Sequence, residues 1–392
     1  QMVFPMYVVR VADFQKMTEA RPHQVLKDEG VVMRFATAGA TPAVFISHQW
    51  CGRMHADPHF RQLRVLQAIF KRAAAGNVRM GADFFGAVLF NSRASVRPAD
   101  LQDAMSWVMW YDYFSVPQPD APEAESSQHA NLASDLGRAV ASLASYIDKC
   151  KFFFVLAPVV EHDFGHLLDY STWRTRGWCR FERLVRQLSK KSGPMLLVRR
   201  PDTIVEIGAQ DYLLDPVGRG DFSVVADKET LSVTVQRLLA GRLLLLSAQK
   251  RDEDFHHMAS WCAPLMEGLP GASWEAVAPE ALLSPPPAPS RPHALASRLW
   301  GQRPLLVAAG IGDVYVLQRL IEGRADMRQA WPRDTPAFFY QAKQQPVHVA
   351  ALRGHVAAIA ALLEHRAEVD ARDRRAQTPL ILSATSGSVA AA

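Results

Sequence analysis

Three short clusters in this chain carry side chains able to do chemistry. Trp178-Cys179-Arg180-Phe181-Glu182 places a carboxylate four residues after an indole. Asp112-Tyr113 sets a second carboxylate beside an aromatic ring, and His48-Gln49-Trp50 sets an imidazole near another indole. A carboxylate can face positive charge, a flat ring can stack on a planar base, and an arginine such as Arg180 can grip an anion through two N–H groups. Each feature also has a plainer reading. Glu182 and Arg186 stand at i and i+4 on one helix, where a surface ion pair would contribute about 0.3–0.5 kcal/mol. The arginines at 174, 176, 180, 183 and 186 read as a solvated face or, beside a cleft, as receivers of phosphate. Trp178, Phe181, Val185 and Leu188 have the spacing of a buried helical stripe, and Cys179 reads as a packed thiol. His48, Cys51, His55 and His59 crowd together like metal ligands, yet their spread over a loop and a helix start argues against a metal site.

These clusters need a framework to bring them together. Ala43-Val44-Phe45-Ile46-Ser47 reads as a buried strand that ends at His48. Asp57-Pro58 then opens a helix through Leu63, Leu66, Ile69 and Phe70. A second strand, Trp107–Tyr111, ends at Asp112. A helix through Leu132, Leu136, Val140, Leu143 and Ile147 leads to a third strand, Phe152–Leu156. The helix carrying Glu182 follows, and then a fourth strand, Met195–Val198. Alternation of this kind predicts a parallel α/β sheet. Ligands of such sheets bind beyond the carboxyl ends of the strands, so His48, Trp50, Asp112, Tyr113 and the segment before Glu182 are expected to gather there.

Residues 43–198 resemble the TIR domain, a flavodoxin-like signalling fold of animal, plant and bacterial immunity. The resemblance rests on Val44-Phe45-Ile46-Ser47-His48, on Asp112 through Pro117, on Phe153–Pro158 and above all on Trp178-Cys179-x-x-Glu182. It implies that Glu182 is catalytic and that the reaction cleaves the nicotinamide–ribose bond of NAD, which is then a substrate and not a cofactor. His48, Trp50, Asp112, Tyr113 and Arg180 become the candidate binding residues. An oxocarbenium-like transition state suits a carboxylate at Glu182, while Trp50 and Tyr113 offer rings for stacking on nicotinamide or adenine. The resemblance also implies self-association. Residues 77–106 and 119–130 are longer than the family's usual connections, and Ala157-Pro158 stands where the family has a serine.

The rest of the chain is organised differently. Residues 1–42 read as an N-terminal extension and 43–200 as the TIR-like domain. Residues 201–270 read as a mostly helical extension: a turn-rich start, then two helices, the first with Leu231, Val235, Leu238, Leu239 and Leu243 on one stripe. Arg219-Gly220-Asp221 is expected to be a turn. Residues 271–299, with Pro285-Pro286-Pro287 and Pro289, read as a proline-rich linker. Within 300–392, Pro346-Val347-His348-Val349-Ala350-Ala351 resembles the Thr-Pro-Leu-His-x-Ala-Ala opening of an ankyrin repeat. Gly354-His355 falls at its interhelical turn, and Val356, Ile359, Leu362 and Leu363 at the inner stripe of its second helix. Thr378-Pro379-Leu380 restarts the pattern with the 33-residue ankyrin period. An earlier copy begins at Arg303-Pro304-Leu305 and carries Ala308-Ala309, Gly312-Asp313 and Leu320-Ile321. Its longer spacing implies an insertion near Trp331–Gln345, where Thr335-Pro336 is a competing restart. The expected fold is therefore α/β, a flavodoxin-like, TIR-like parallel sheet with a helical extension, plus an all-α ankyrin array.

Composition narrows the function classes. A hydrophobic fraction of 49% in 392 residues supports two or three packed domains. The formal net charge of +5 is too small and too dispersed for nucleic acid to be an expected partner. Four scattered cysteines without a Cys-x-x-Cys pair point to a reducing, cytoplasmic setting and away from structural zinc. No apolar run reaches the roughly 18 residues of a membrane span, and no signal peptide is visible. The start at Gln1 suggests that chain is missing upstream. Two hypotheses follow. One is a candidate NAD+ hydrolase targeted by ankyrin repeats that bind a protein partner. The other is a non-catalytic adaptor that acts through TIR-like self-association and ankyrin-mediated binding.

Overall fold

The computed structural model describes residues 2–82, 93–118, 134–189, 193–207, 215–249, 258–259, 261–262, 264–271, 304–312, 314–332, 340–386 and 389–391. It forms two compact units, residues 1–235 with 267–271, and residues 236–266 with 272–392. The helix Asp227–Ala248 runs through the division between them.

The first unit is built on an eight-stranded sheet. Its strands are β1 (Tyr7–Arg10), β2 (Val32–Arg34), β3 (Ala43–His48), β4 (Arg79–Ala82), β5 (Val108–Trp110), β6 (Phe152–Leu156), β9 (Met195–Arg200) and β10 (Thr203–Ile207). The short strands β7 (Val160–Glu161) and β8 (Leu167–Leu168) form a separate hairpin. The spatial order is β2-β1-β5-β3-β6-β9-β10-β4. The central four, β5-β3-β6-β9, are all parallel, as their apolar runs predict. Their spatial order by sequence is second, first, third, fourth, which is the flavodoxin-like arrangement. The registers Phe45↔Phe153 and Phe154↔Leu196 keep every residue of β3 and β6 buried. Stacked rings of Trp110, Phe45 and Phe153, with centroid separations of 4.4 and 5.2 Å, run across the strands and lock that register.

The edges depart from an all-parallel sheet. The expected boundary at residue 43 is crossed: β1 pairs antiparallel with β5, and β2 pairs antiparallel with β1. Tyr7-Val8-Val9 is too short to announce a strand, and it becomes one because β5 leaves an open edge for it. At the other edge β10 folds back antiparallel on β9 through Pro201-Asp202, and β4 adds parallel to β10. The segment after residue 200 therefore starts as a strand and not as part of a helical extension. The helix Asp227–Ala248 follows, and the described residues 258–259, 261–262 and 264–266 are helical as well. The long connection 77–106 contains β4 and a 3-10 stretch, Pro98–Ser106. Helix Arg61–Ala74 starts three residues later than Pro58 suggests, but Asp57 still caps it, accepting from the backbone N–H groups of Arg61 and Leu63 at 2.9 Å each. In the helix Asp135–Lys149, Ser134 caps the N–H of Gly137. Leu132 lies outside the described residues.

In the second unit, helix pairs stack as the repeat spacing predicts: Pro304–Ile311 with Val314–Glu322, then Pro346–Arg353 with Val356–Glu364, then Pro379–Ser386. Gly354 takes φ = 72° at the turn, a left-handed conformation that favours glycine. The core is Leu305, Ala308, Ala309, Leu317, Leu320, Val347, Ala350, Ala358, Ala361 and Leu362. Here the expected inner stripe is corrected. Val356 and Leu363 are exposed, and Ala358 and Ala361 take the inner positions, since only small side chains let neighbouring helices approach closely. The ends of the insertion are tied together, with Trp331 and Gln344 hydrogen-bonded and Trp331 stacked on Tyr340 at 5.0 Å. Gly312 belongs to the described residues of the first copy. Asp313, Thr335-Pro336 and residues 272–299 of the proline-rich stretch lie outside them.

Candidate functional site

The carboxyl ends of β3 and β5 bring four of the six candidate residues into one bonded cluster. Asp112 follows β5 directly and opens a one-turn helix, Asp112–Ser115. His48 closes β3, with its Nε2 2.7 Å from Asp112 Oδ1. Trp50 donates its indole N–H to Asp112 Oδ2 at 2.8 Å, and the Tyr113 backbone N–H donates to Oδ1 at 2.6 Å. Rings hold the same group from the sides. His48 stacks on Tyr111 at 4.1 Å, and Trp50 meets Tyr113 edge-on at 5.7 Å. The His48 side chain is buried, whereas Asp112 keeps about a third of its side chain open to solvent. Burial alone would raise the Asp112 carboxyl. The neighbouring His48, with the Trp50 and Tyr113 N–H groups, outweighs it and holds the group below its ordinary range.

Glu182 reaches the neighbouring position by another route. It lies in the second turn of helix Gly177–Leu188 and is half-buried. The Ser47 hydroxyl, one residue before His48 on β3, donates to Glu182 Oε2 at 2.5 Å. Trp173, fully buried, donates its indole N–H to Ser47 Oγ at 3.2 Å. Burial pushes the Glu182 carboxyl up to about 8; the Ser47 hydrogen bond opposes this, and the negative charge of Asp112 adds to it. Cys179, on the same helix, contacts the His48 carbonyl at 3.4 Å, and its buried thiol is raised well above the ordinary range. That thiol is packed in the interior.

The start of this helix is set by a close backbone approach. Gly177 donates to the Asp221 carbonyl, and Asp221 donates back to Thr175. A side chain at Gly177 would collide with the Phe222 ring, and one at Gly220 would collide with the Gly177 backbone. Arg219-Gly220-Asp221 is thus a docking turn for the helix.

The plainer readings of the helix fail in two respects. Glu182 is not paired with Arg186, which is buried and donates to the carbonyls of Cys150 and Lys151 at 3.0 and 2.9 Å. Nor are the arginines uniformly solvated, because Arg183 is fully buried and pairs with Asp215 at 3.3 Å. Arg180, the sixth candidate, is directed elsewhere: it donates to the carbonyls of Arg174 and Pro216 at 2.6 and 3.0 Å. Of the expected stripe, Phe181, Val185 and Leu188 are buried, while Trp178 is half-buried and bonds Asp227. The crowded His and Cys residues diverge. His55 Nε2 lies 3.0 Å from the Ala20 carbonyl, His59 lies 3.8 Å from Asp163, and Cys51 accepts from Gln62. A surface hollow lined by Val225, Lys228, Glu229 and Leu269 includes none of the candidate residues.

Two residues that matter to the geometry escaped the sequence reading. Ser47 was legible only as the end of an apolar run, and Trp173 only as one more aromatic. Nothing in their spacing shows that one would hold the other against Glu182.

Among the described residues no helix is long and apolar enough to cross a membrane. No curated protein matches the chain. A family model described as ankyrin repeats (many copies) matches residues 347–392, so this C-terminal part is similar to ankyrin repeats and has the character of a protein-binding array.

Proposed function

We propose that the α/β unit is a TIR-like domain that hydrolyses the nicotinamide–ribose bond of NAD, and that the ankyrin repeats target it by binding a protein partner inside the cell. One observation carries this reading. Glu182 of the Trp-Cys-x-x-Glu helix is held by Ser47 at the carboxyl end of β3, immediately beside the His48–Trp50–Asp112–Tyr113 cluster, and not in an ion pair with Arg186. Carboxylates, an imidazole and two rings at a strand-end edge suit a substrate with a cationic ring and a ribose. Self-association belongs to the proposal, since the resemblance implies sites completed between neighbouring copies. The test is release of nicotinamide and ADP-ribose from NAD by the purified chain, free and forced to cluster. Turnover is expected on clustering and is abolished in Glu182→Ala. Absence of turnover by the enforced oligomer, or equal turnover by the variant, would sink the reading.

A second reading has its own support. Arg180, the candidate for the pyrophosphate, is committed to the carbonyls of Arg174 and Pro216. This favours a non-catalytic adaptor, in which the α/β unit associates with itself and the repeats recruit a client. In that case no variant of the cluster changes NAD, while truncation of residues 300–392 abolishes client capture.

A further inference from the structure

The helix that carries Glu182 is held by a later part of the chain. Asp215 Oδ2 accepts from Arg174 Nε and Nη2 at 2.9 and 2.7 Å and from Arg183 Nη1 at 3.3 Å. The Asp215 carbonyl accepts from Arg183 Nη2 at 3.3 Å, and Arg180 Nη2 lies 4.0 Å from Oδ1. Further along, Asp227 accepts from the Trp178 indole at 2.8 Å. Arg183 is fully buried, and a buried guanidinium needs a carboxylate beside it. The Asp215 side chain is only 17% exposed, so solvent screens this pairing little.

From Arg183 a line of contacts runs to Glu182. The Arg183 guanidinium lies over the Trp173 ring, 5.9 Å from its centroid. Trp173 donates to Ser47 Oγ at 3.2 Å, and Ser47 donates to Glu182 Oε2 at 2.5 Å. A serine hydroxyl can turn, so its proton takes its direction from its partners. With the Trp173 N–H aimed at Ser47 Oγ, the hydroxyl proton is left to point at Glu182. The indole is held from two sides, by Arg183 and by Tyr170, whose ring stacks on it at 5.7 Å.

We propose, resting on the NAD-cleaving reading, that Asp215 and Trp173 are positioning residues for Glu182. Asp215 fixes Arg183, Arg183 fixes the Trp173 ring, and Trp173 directs the Ser47 hydroxyl to the catalytic carboxyl. In this assignment neither positioning residue touches the substrate. Asp215 lies outside residues 43–198, so the unit that builds the site extends past the span of the TIR resemblance. A carboxyl that loses its support loses alignment with the reacting bond and not affinity for the dinucleotide, so the effect falls on turnover.

In the full, clustered chain at pH 7, Asp215→Asn should lower kcat by about 10- to 100-fold and leave KM for NAD within about twofold. Asp215→Glu, which keeps the charge, should retain more turnover than Asp215→Asn. A parent-like kcat in Asp215→Asn, a loss carried by KM alone, or the reverse order of the two variants overturns the inference. Arg219→Ala is the control, since Arg219 is exposed on the same segment and pairs with Glu267; it should stay within about twofold. An equal loss there would mean that any disturbance of the segment suffices, and would overturn the assignment to Asp215. Protein labelled with 15N at its indoles reads the line of contacts without turnover. The Trp173 Nε1–H resonance, identified by its disappearance in Trp173→Phe, should move in Ser47→Ala and also in Asp215→Asn. A merely structural Asp215 would lower the unfolding midpoint and leave that resonance in place, which overturns the inference. If Asp215→Asn does not fold, Trp173→Phe decides: kcat about tenfold lower at constant KM is expected, and a parent-like kcat overturns it. A parent that cleaves no NAD even when clustered would defeat the reading beneath, and the positioning role with it. An active parent whose Asp215 variants match it would defeat this inference alone.

Discussion

His48 and His348 are both buried, one in each unit, and they serve opposite ends. His48 ends a central strand and turns its Nε2 to a carboxylate that is partly open to solvent. His348 sits in the first turn of a repeat helix, accepts from the Gln345 N–H through Nδ1, and places Nε2 2.9 Å from the Ala371 carbonyl of the following loop. Its imidazole is lowered from the ordinary range, chiefly by burial, so it stays neutral and pins one repeat to the next. His355 does the same toward the preceding repeat through the Gly310 carbonyl at 3.1 Å. Partners, not burial, separate a structural histidine from one able to do chemistry: carbonyls fix a tautomer, whereas a carboxylate can exchange charge with the ring.

The contrast extends to what each unit buries, and substitutions can break it. The largest effect is expected in the repeats, whose core is alanine and leucine. Leu362→Ala should cost about 2–5 kcal/mol and unfold the array, leaving the α/β unit folded, because each repeat is stabilised only by its neighbours. Limited proteolysis of residues 300–392 checks this. Leu363→Ala, on the exposed side, should leave protease resistance unchanged.

The next effect separates the units by pH. In the folded chain Glu182 titrates at about 8 against an ordinary 4.5. A carboxyl raised in this way costs nothing at pH below the unfolded value. Its penalty grows as pH rises through that window and is complete above the folded value. Glu182→Gln should therefore stabilise the α/β unit by a few kcal/mol near pH 9 and by nothing below pH 4, on an order-of-magnitude basis. Denaturant titrations at the two pH values measure the difference. An equal effect at both would mean that the carboxyl is not held protonated.

Smaller changes probe single hydrogen bonds. His348→Ala should cost about 1–3 kcal/mol by leaving the Ala371 carbonyl and the Gln345 N–H without their partner. The loss should show in the thermal unfolding of the array alone. Trp173→Phe removes the bond to Ser47 and should cost about 1 kcal/mol in the α/β unit. A loss confined to the repeats would contradict the placement of that indole.

How much of this was legible beforehand differs between the units for a physical reason. A repeat is local. The Pro346–Ala351 motif, the left-handed Gly354 and the restart at Pro379 lie within 33 residues of one another, so spacing along the chain maps onto stacking in space. Even there the inner face was right at Ile359 and Leu362 and wrong at Val356 and Leu363, since periodicity alone cannot tell whether Leu363 or Ala361 meets the neighbouring helix. The four central strands were legible too, because strands covered on both faces must be continuous apolar runs. Outer strands such as Tyr7–Arg10 and Thr203–Ile207 were not, for so short a segment becomes a strand only when neighbouring strands receive it.

For the site, residue types and the carboxyl-end rule were enough to nominate His48, Trp50, Asp112 and Tyr113, and the Trp-Cys-x-x-Glu match nominated Glu182. Only the tertiary structure decided their relations. Ser47 and Glu182 are 135 residues apart, and Trp173 and Ser47 are 126 apart. Arg180 follows Cys179 in the helix yet turns to Pro216, whereas Glu182, two residues further on, turns to Ser47. Sequence records which side chains are available. Packing determines which of them are desolvated together, and it is desolvation with specific donors that shifts one carboxyl down and the other up.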